Sequence, residues 1–421
     1  MTQIDTSLHL FEGHIGVFDP KNLRRVDWVL VGLTAVLAIA GLMTLYSASF
    51  GEYIRADASN DLGFLGSLQT VAASWFGRQL AYLLVGVALA ALIISLDYRL
   101  LVSLGPTMYI IVLILLVLVH FFGEEVNGAR RWLDLGFTKL QPSEFSKPAL
   151  VYMLAWYLSR IGERVQNVFL FALALIFMAI PAGLIFLQPS LSVAIVLAPI
   201  VLIMLFTAGC RLWQILVLVL PGILLAGLVW WQVTDYERLN QDVDAYMAKS
   251  YPLGIRLSPH QIDRILTFRD PERDPRDKGY QAIQMKITVG SGEVLGKGYG
   301  KGTQTHFKFL PEFHTDLIFA LLAEEWGFVG AAAVAIVFLA FLMRALALAA
   351  SCTEPSGSLL AVGCAAVLGF HAFANMAITV GLLPVTGMPL PFLSYGGSFY
   401  MTTMICVGTI LSVHVRKRFL Q

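Results

Sequence analysis

The sequence predicts an all-α integral membrane protein of about ten transmembrane helices, with a large extracytoplasmic loop between the seventh and the eighth. Three observations predict it. Apolar segments of about 18 residues or more, the length that crosses a hydrocarbon core as a helix, recur along the chain. Charge is scarce: of 421 residues 57% are hydrophobic and 14% charged, with mean hydropathy +0.73, whereas soluble chains carry roughly 25% charged residues. Lys and Arg also gather in alternate connections, as the positive-inside rule requires.

The apolar runs place helices at 27–49, 77–96, 103–122, 143–160, 167–187, 191–208, 211–231, 315–349, 358–383 and 393–414. The eighth would run roughly 50 Å at 1.5 Å per residue, so it must tilt or bend. Gly327 and Gly330 are the places to bend it. Lys21, Arg24 and Arg25 precede the first span, and Arg416, Lys417 and Arg418 follow the last. Both termini are therefore expected on the cytoplasmic side, as segments 1–26 and 415–421, which requires an even number of spans. The turns holding Arg99, Arg160, Arg164, Arg211 and Arg344 fall inside on the same count, and the turns at 188–190 and 384–392, without Lys or Arg, fall outside.

Composition excludes several classes. A net charge of +1 carries no nucleic-acid footprint. Cys210, Cys352, Cys364 and Cys406 lie far apart with no C-x-x-C spacing, which reads as small buried residues rather than zinc ligands or disulfides. Residues 1–25 are polar and mixed, so no cleavable signal peptide is read there. No internal repeat is apparent, and the chain reads as one polytopic domain, 1–421.

Two outer segments break the charge rule. Residues 123–142 hold Arg130, Arg131 and Lys139 on the wrong side of the membrane. Such a cluster either anchors to headgroups or binds an anion. Its Trp132 and leucines suit a segment lying flat in the interface. Residues 232–314 are too long for a connection. The first part, 232–265, has the mixture of a surface helix, and the later part is rich in glycine, Gly290 to Gly302, which suits a flexible or tightly turned loop close to a ligand.

Four constellations have residue types that carry chemistry. In Asn127–Lys147, Pro142 opens a helix whose first turns hold Glu144 and Lys147, three apart on one face and able to pair. In Leu266–Gln281, Asp270, Asp274 and Asp277 lie among Arg269, Arg273, Arg276 and Lys278. Asp-Pro pairs form turns, and a carboxylate among bases can also accept a proton. In Gly302–Gly327, His306, Glu312, His314, Asp316, Glu324 and Glu325 gather near the outer surface without a metal-binding spacing. In Asn375–Ser398, Pro384, Pro389 and Pro391 break helix at membrane depth, which requires burial in protein or a cavity wall.

Together these motifs resemble the SEDS family, the membrane glycosyltransferases of shape, elongation, division and sporulation. The resemblance runs from about Asp27 to Arg418 and rests on NGARRW, QPSE, DPERDP, GTQ, FLPE, HTD, AEEWG and GLLPVTGMPLPFLSYGGS. GKG at Gly296–Gly298, GTQ and FLPE are more similar to the elongation branch than to the division branch. The resemblance implies a peptidoglycan glycosyltransferase that joins lipid II disaccharides and releases undecaprenyl pyrophosphate in a bacterial inner membrane. It implies a class B penicillin-binding transpeptidase and other elongation proteins as partners, with the ninth span and the loop after Pro252 as candidate contacts. It makes Asp274 the catalytic carboxylate. Arg131, Lys139, Glu144, Lys147, Glu312, His314, Asp316, Ser394, Gly396 and Gly397 become substrate-binding candidates. No metal is bound by side chains on this reading, although a divalent cation, Mg or Mn, is an expected aid to a pyrophosphate leaving group. The chain departs from the family where Ser190 and Ser192 stand in QPSLSVA, in place of the usual acidic residue and the glycine-like position. It departs again at Phe399, where a small residue is usual. The alternative is a lipid II flippase or other transporter, since ten spans with broken helices suit transport too. Against it stand the large outer loop and the few polar groups at the membrane midplane.

Overall fold

The computed structural model describes residues 25–59, 74–126, 129–134, 136, 139–188, 190–239, 242–249, 251–252, 256–257, 259–273, 279–306 and 313–416. Among them, the long helices are α1 (Trp28–Ser59), α2 (Trp75–Ser95), α4 (Gly105–Phe122), α5 (Pro142–Ile161), α6 (Val168–Leu187), α7 (Leu191–Thr207), α8 (Leu212–Arg238), α13 (Ile318–Ala350), α14 (Pro355–Thr379) and α15 (Gly397–Arg416). Short helices α3 (Tyr98–Ser103), α9 (Val243–Ala248), α10 (Pro259–Arg269), α11 (Tyr280–Ser291) and α12 (Thr303–His306) fill the connections. Among the described residues, eight helices are long and apolar enough to cross a membrane. The chain is a multi-pass membrane protein. Of the other two long helices, α5 carries Glu144 and Lys147 in its first two turns, and the apolar part of α7 spans only Ser192–Thr207.

α5 and α14 form the centre. Nearly every residue of α5 from Pro142 to Leu158 is buried, and so is most of α14, whereas α4, α6 and α8 turn long apolar faces outward as lipid-facing helices do. Small residues let the helices meet closely. A Cβ on Gly105 would lie 2.6 Å from the Tyr152 carbonyl oxygen of α5, and one on Gly41 would lie 2.6 Å from Leu393 Cα.

Three differences from the sequence expectation have physical causes. First, residues 124–140 form a small antiparallel sheet, β1 (Glu124–Val126), β2 (Ala129–Asp134) and β3 (Lys139–Leu140), instead of a flat interfacial segment. Pairing β2 on both edges satisfies backbone groups that an isolated extended segment would leave to the headgroups. Second, α14 ends at Thr379 and α15 begins at Gly397, so 393–396 belong to the non-helical wall and not to the last span. Third, the bend in the eighth span sits at Gly327 alone, with φ 66° and ψ −168°, and Gly330 stays helical.

That break is closed by the glycine-rich loop. Lys297 and Gly298 N–H donate to the Glu324 and Glu325 carbonyls at 3.0 Å each, and Phe328 and Val329 N–H donate to Glu293 and Val294 at 2.9 and 3.1 Å. The backbone groups freed by the kink are thereby satisfied inside protein, as a membrane-depth break demands. The loop's close approach is thus to its own helix. Gly296 has φ +82°, and a Cβ there would stand 2.1 Å from the Glu325 carbonyl oxygen. Gly296→Ala is expected to cost at least about 2 kcal/mol, from the left-handed backbone and the clash together. Gly290→Ala, where no atom lies within 4 Å of the new Cβ, is expected to leave the melting temperature unchanged or raised. Thermal melts of the two purified variants check the contrast.

Outside the apolar stretch, α8 runs on to Arg238 and heads a second small core of Val233, Tyr236, Tyr246, Tyr251, Ile262 and Leu266. Tyr246 Oη and Leu257 N–H both donate to Gln232 Oε1, at 2.8 and 3.0 Å. Lys249 Nζ lies 2.8 Å from Asp235. Burial, and then the Asp235 carboxylate that accepts its hydrogen bond, push the Tyr251 phenol above its ordinary range. The helix expected in 232–265 is present as α9 and the start of α10.

Candidate active site at one end of the bundle

The helix-breaking run 380–396 is the hub. Ser394 Oγ accepts from Leu390 N–H at 2.8 Å and donates to the Thr315 carbonyl at 2.5 Å. Tyr395 N–H donates to the His314 carbonyl at 2.9 Å. Asn375 Nδ2, fully buried on α14, donates to the Asp316 and Met388 carbonyls at 2.7 Å each. A Cβ on Gly387 would stand 3.2 Å from Asp316 Oδ2. His314 stacks on Trp75 with ring centroids 4.5 Å apart. Residues 314–316 and the proline-rich run, far apart in sequence, therefore form one wall. The run is buried from Met388 to Ser394 apart from half-buried Pro389, whereas Leu382, Leu383 and Pro384 stand exposed, so protein seals the second half of the break and not the first.

The same run reaches the basic segment. Ser398 Oγ accepts from Gln141 N–H at 2.9 Å and faces the Lys139 carbonyl oxygen at 3.3 Å. Gly397 fits because a Cβ there would stand 2.8 Å from the Tyr82 ring, and Gly396, at φ +153°, donates its N–H to Gln79 Oε1 at 3.3 Å. Lys139 Nζ pairs with Glu124 at 2.6 Å with both side chains about half exposed. Arg131 Nε donates to the Gln188 carbonyl at 3.2 Å, beside the Ser190 that replaces the family's acidic residue. Ser190 is itself buried.

Below this surface Glu144 and Lys147 pair with each other at 2.7 Å, their side chains 5% and 0% exposed. The ammonium also lies 5.4 Å from the centre of the Phe399 ring, so the second family departure packs on the buried cation. Gln141 caps no N–H with its side chain, but Pro142 at the first helical position needs no acceptor and Glu144 in the first turn complements the helix dipole.

Arg131, Lys139, Glu144, Lys147, His314, Asp316, Ser394, Gly396 and Gly397 are thus brought to one end of the bundle. Asp274 and Glu312 lie outside the described residues. Asp274 follows directly on the 3-10 turn Pro271–Arg273, which packs against α10 and α11. Among the described residues no three His, Cys, Asp or Glu side chains converge as metal ligands.

Sequence reasoning passed over Gln79. It is 1% exposed and bridges the Ser394 carbonyl, to which its Nε2 donates at 3.2 Å, and the Gly396 N–H. The available signal was a lone amide at the start of an apolar span, since polar residues inside a bundle must find partners. Trp75 beneath His314 carried no comparable signal.

A buried ionic pair, a helix-free wall and a basic sheet define a polytopic membrane protein with a built site at one end of its bundle. The family model described as "Cell cycle protein", covering FtsW, RodA and SpoVE, matches residues 27–419. The peptidoglycan glycosyltransferase MrdB of Escherichia coli (strain K12) is 35% identical over 406 residues, 96% of this chain and 98% of the relative. A solved structure, described as the structural coordination of polymerization and crosslinking by a peptidoglycan synthase complex, matches with TM-score 0.71 and 31% identity. The match covers 92% of this chain and 97% of that one. The crystal structure of the rod shape determining protein RodA of Thermus thermophilus matches with TM-score 0.62 and 28% identity, over 92% and 96% of the two chains. The chain belongs to the FtsW, RodA and SpoVE family, the SEDS family that its motifs resemble.

Proposed function

We propose that the chain is a peptidoglycan glycosyltransferase that joins lipid II disaccharides into glycan strands for wall elongation and rod shape. The observation that carries this reading is the meeting of the QPSE, HTD and proline-rich motifs at one outer surface, beside a basic sheet. An acceptor sugar hydroxyl attacks the anomeric carbon of the donor, and the bond to the pyrophosphate of its undecaprenyl carrier breaks. The hydroxyl proton passes to Asp274, because a sugar hydroxyl is a poor nucleophile until a base takes its proton. Negative charge grows on the departing pyrophosphate, and cations aimed at it lower the barrier.

Lys139 suits that task. A half-exposed ion pair is worth only about 0–1 kcal/mol, so exchanging Glu124 for a phosphate oxygen costs little. Arg131, whose Nε holds Gln188, brings a second permanent positive charge to the same segment. Glu144 and Lys147, sealed beneath, hold α5 against the wall. His314 and Asp316 shape the wall, and Ser394, Gly396 and Gly397 fix its path. A Mg or Mn ion is best read as entering with the pyrophosphate, whose oxygens are its preferred ligands.

The setting is a bacterial inner membrane crossed ten times, with both termini cytoplasmic. A class B penicillin-binding transpeptidase and other elongation proteins are the expected partners. An apolar groove of about 540 Å³ between α11, α13 and α14, with Phe319, Phe373, Met376 and Val380 on its walls, gives the ninth-span face room for a partner's membrane anchor. Incubating lipid II with the purified protein tests the activity. A ladder of glycan on a gel is expected. Lipid II transfer across vesicles with no polymer would make the chain a transporter instead.

A further inference from the structure

We propose that Arg78 seats a second pyrophosphate at the site, the one that stays bonded to its sugar while the other departs. The inference rests on the polymerase reading. Joining two lipid-linked disaccharides brings two carrier pyrophosphates to one site, and only one of them leaves. Lys139 and Arg131 serve the departing one, so the other needs a cation of its own.

α2 supplies it. Trp75, Arg78, Gln79 and Tyr82 follow the i, i+3, i+4, i+7 spacing of one helix face. That face is turned to the wall. Trp75 stacks on His314, and Gln79 bridges Ser394 and Gly396. The Tyr82 ring packs where a Cβ on Gly397 would fall, with its centroid 6.0 Å from that of Tyr395. The Arg78 guanidinium faces the Tyr395 phenol. Leu80, Leu84 and Val87 stand exposed on the opposite face, as lipid-facing residues do. An arginine at the end of a span ordinarily snorkels to headgroups, but Arg78 lies on the face that meets the wall. It is exposed there, and among the described residues no carboxylate pairs with it. Lys139 and Lys147, by contrast, hold Glu124 and Glu144.

The wall brings Arg78 and Lys139 to the two sides of one opening. Between Leu390 and Tyr400 only Tyr395, Gly396 and Gly397 are half-exposed, and the rest are buried. Tyr395 meets Arg78 on one side of these three residues. Ser398 faces the Lys139 carbonyl on the other. From Tyr395 to Ser398 the backbone spans at most about 11 Å. Two anions seated on the two sides leave their sugars to meet between them. The positive end of α2, whose first turn holds no acidic residue, favours an anion beside Arg78 as well.

Binding and kinetics test the second seat. Equilibrium binding of undecaprenyl pyrophosphate to the purified protein is expected to give two equivalents in the parent and one in Arg78→Ala. In steady-state polymerisation of lipid II, Arg78→Ala is expected to raise KM at least about 10-fold, the worth of a lost hydrogen bond to a charged group, with kcat within about 3-fold of the parent's. Arg78→Lys keeps the charge and loses the planar fork, and it is expected to restore the second equivalent with part of the affinity. Because the side chain is exposed, the melting temperature should hold in both variants. The stem peptide of lipid II also carries carboxylates, and a lipid-linked disaccharide without the peptide separates the two sources. The KM penalty is expected to persist on that substrate. A penalty that disappears on it would give Arg78 to the peptide and overturn the proposal. Two equivalents bound by folded Arg78→Ala, one bound by the parent, or a loss confined to kcat would overturn it too. If the parent binds two equivalents and makes no polymer, the polymerase reading falls while the second seat stands.

Discussion

Purified Asp274→Ala is expected to polymerise lipid II about 10²- to 10⁴-fold more slowly than the parent, the range that a positioned general base supplies. The expectation follows from the chemistry of the acceptor. Its hydroxyl must lose a proton as the new bond forms, and Asp274 is the carboxylate to which the family resemblance gives that role. Glu144 is sealed against Lys147, and Glu324 is consumed by four donors. Asp270 and Asp277 flank Asp274 in the same acidic and basic run, so Asp270→Ala and Asp277→Ala serve as controls and should lose far less. Gel densitometry of glycan formed per unit time separates the three. A folded Asp274→Ala protein running at the parental rate would remove the base from the scheme.

Lys147→Met is expected to destabilise the fold by about 3–5 kcal/mol. It leaves the Glu144 carboxylate, 5% exposed, without its counter-ion at the centre of the bundle. The same physics predicts recovery. Glu144→Gln combined with Lys147→Met removes both charges, and most of the lost melting temperature should return, because an uncompensated charge costs far more than the pair itself contributes. Melting in detergent reports both values. A single variant as stable as the parent would contradict a buried pair. Polymerisation by the refolded double variant then decides what the pair does. Parental activity confines it to holding α5, and a folded but inactive double variant gives it the substrate contact that the family resemblance implies.

How much of this was legible in the sequence depends on range. The spans were legible because hydrophobic length is a local property, and the Glu144–Lys147 pair because three-residue spacing on a helix is local too. Gly327 was visible as a place to bend. What closes the bend was not, because Glu293–Gly298 pairs with Glu324–Val329 across a separation that no periodicity marks. The link between Gln79 and Ser394 joins a helix near the start of the chain to the non-helical wall near its end and left only the trace of an amide in an apolar run. The sheet at 124–140 was missed for another reason. Its strands are short and carry charged residues in succession, so the alternation that marks a half-buried strand is absent. Of the site, the motifs named the residues and the wall's architecture gave most of them partners. Ser394 and Gly396 hold hydrogen bonds within the wall and Gly397 packs on Tyr82, contacts that residue type alone cannot separate from substrate contact.

The proposed reaction has a fixed balance: one undecaprenyl pyrophosphate is released for each disaccharide joined. Purified protein supplied with lipid II, with polymer and undecaprenyl pyrophosphate quantified from the same tube, measures that balance directly. The two are expected to rise together in a one-to-one ratio, and both to vanish in Asp274→Ala. Lipid II that stays intact while it crosses a bilayer, with no pyrophosphate released, would contradict it.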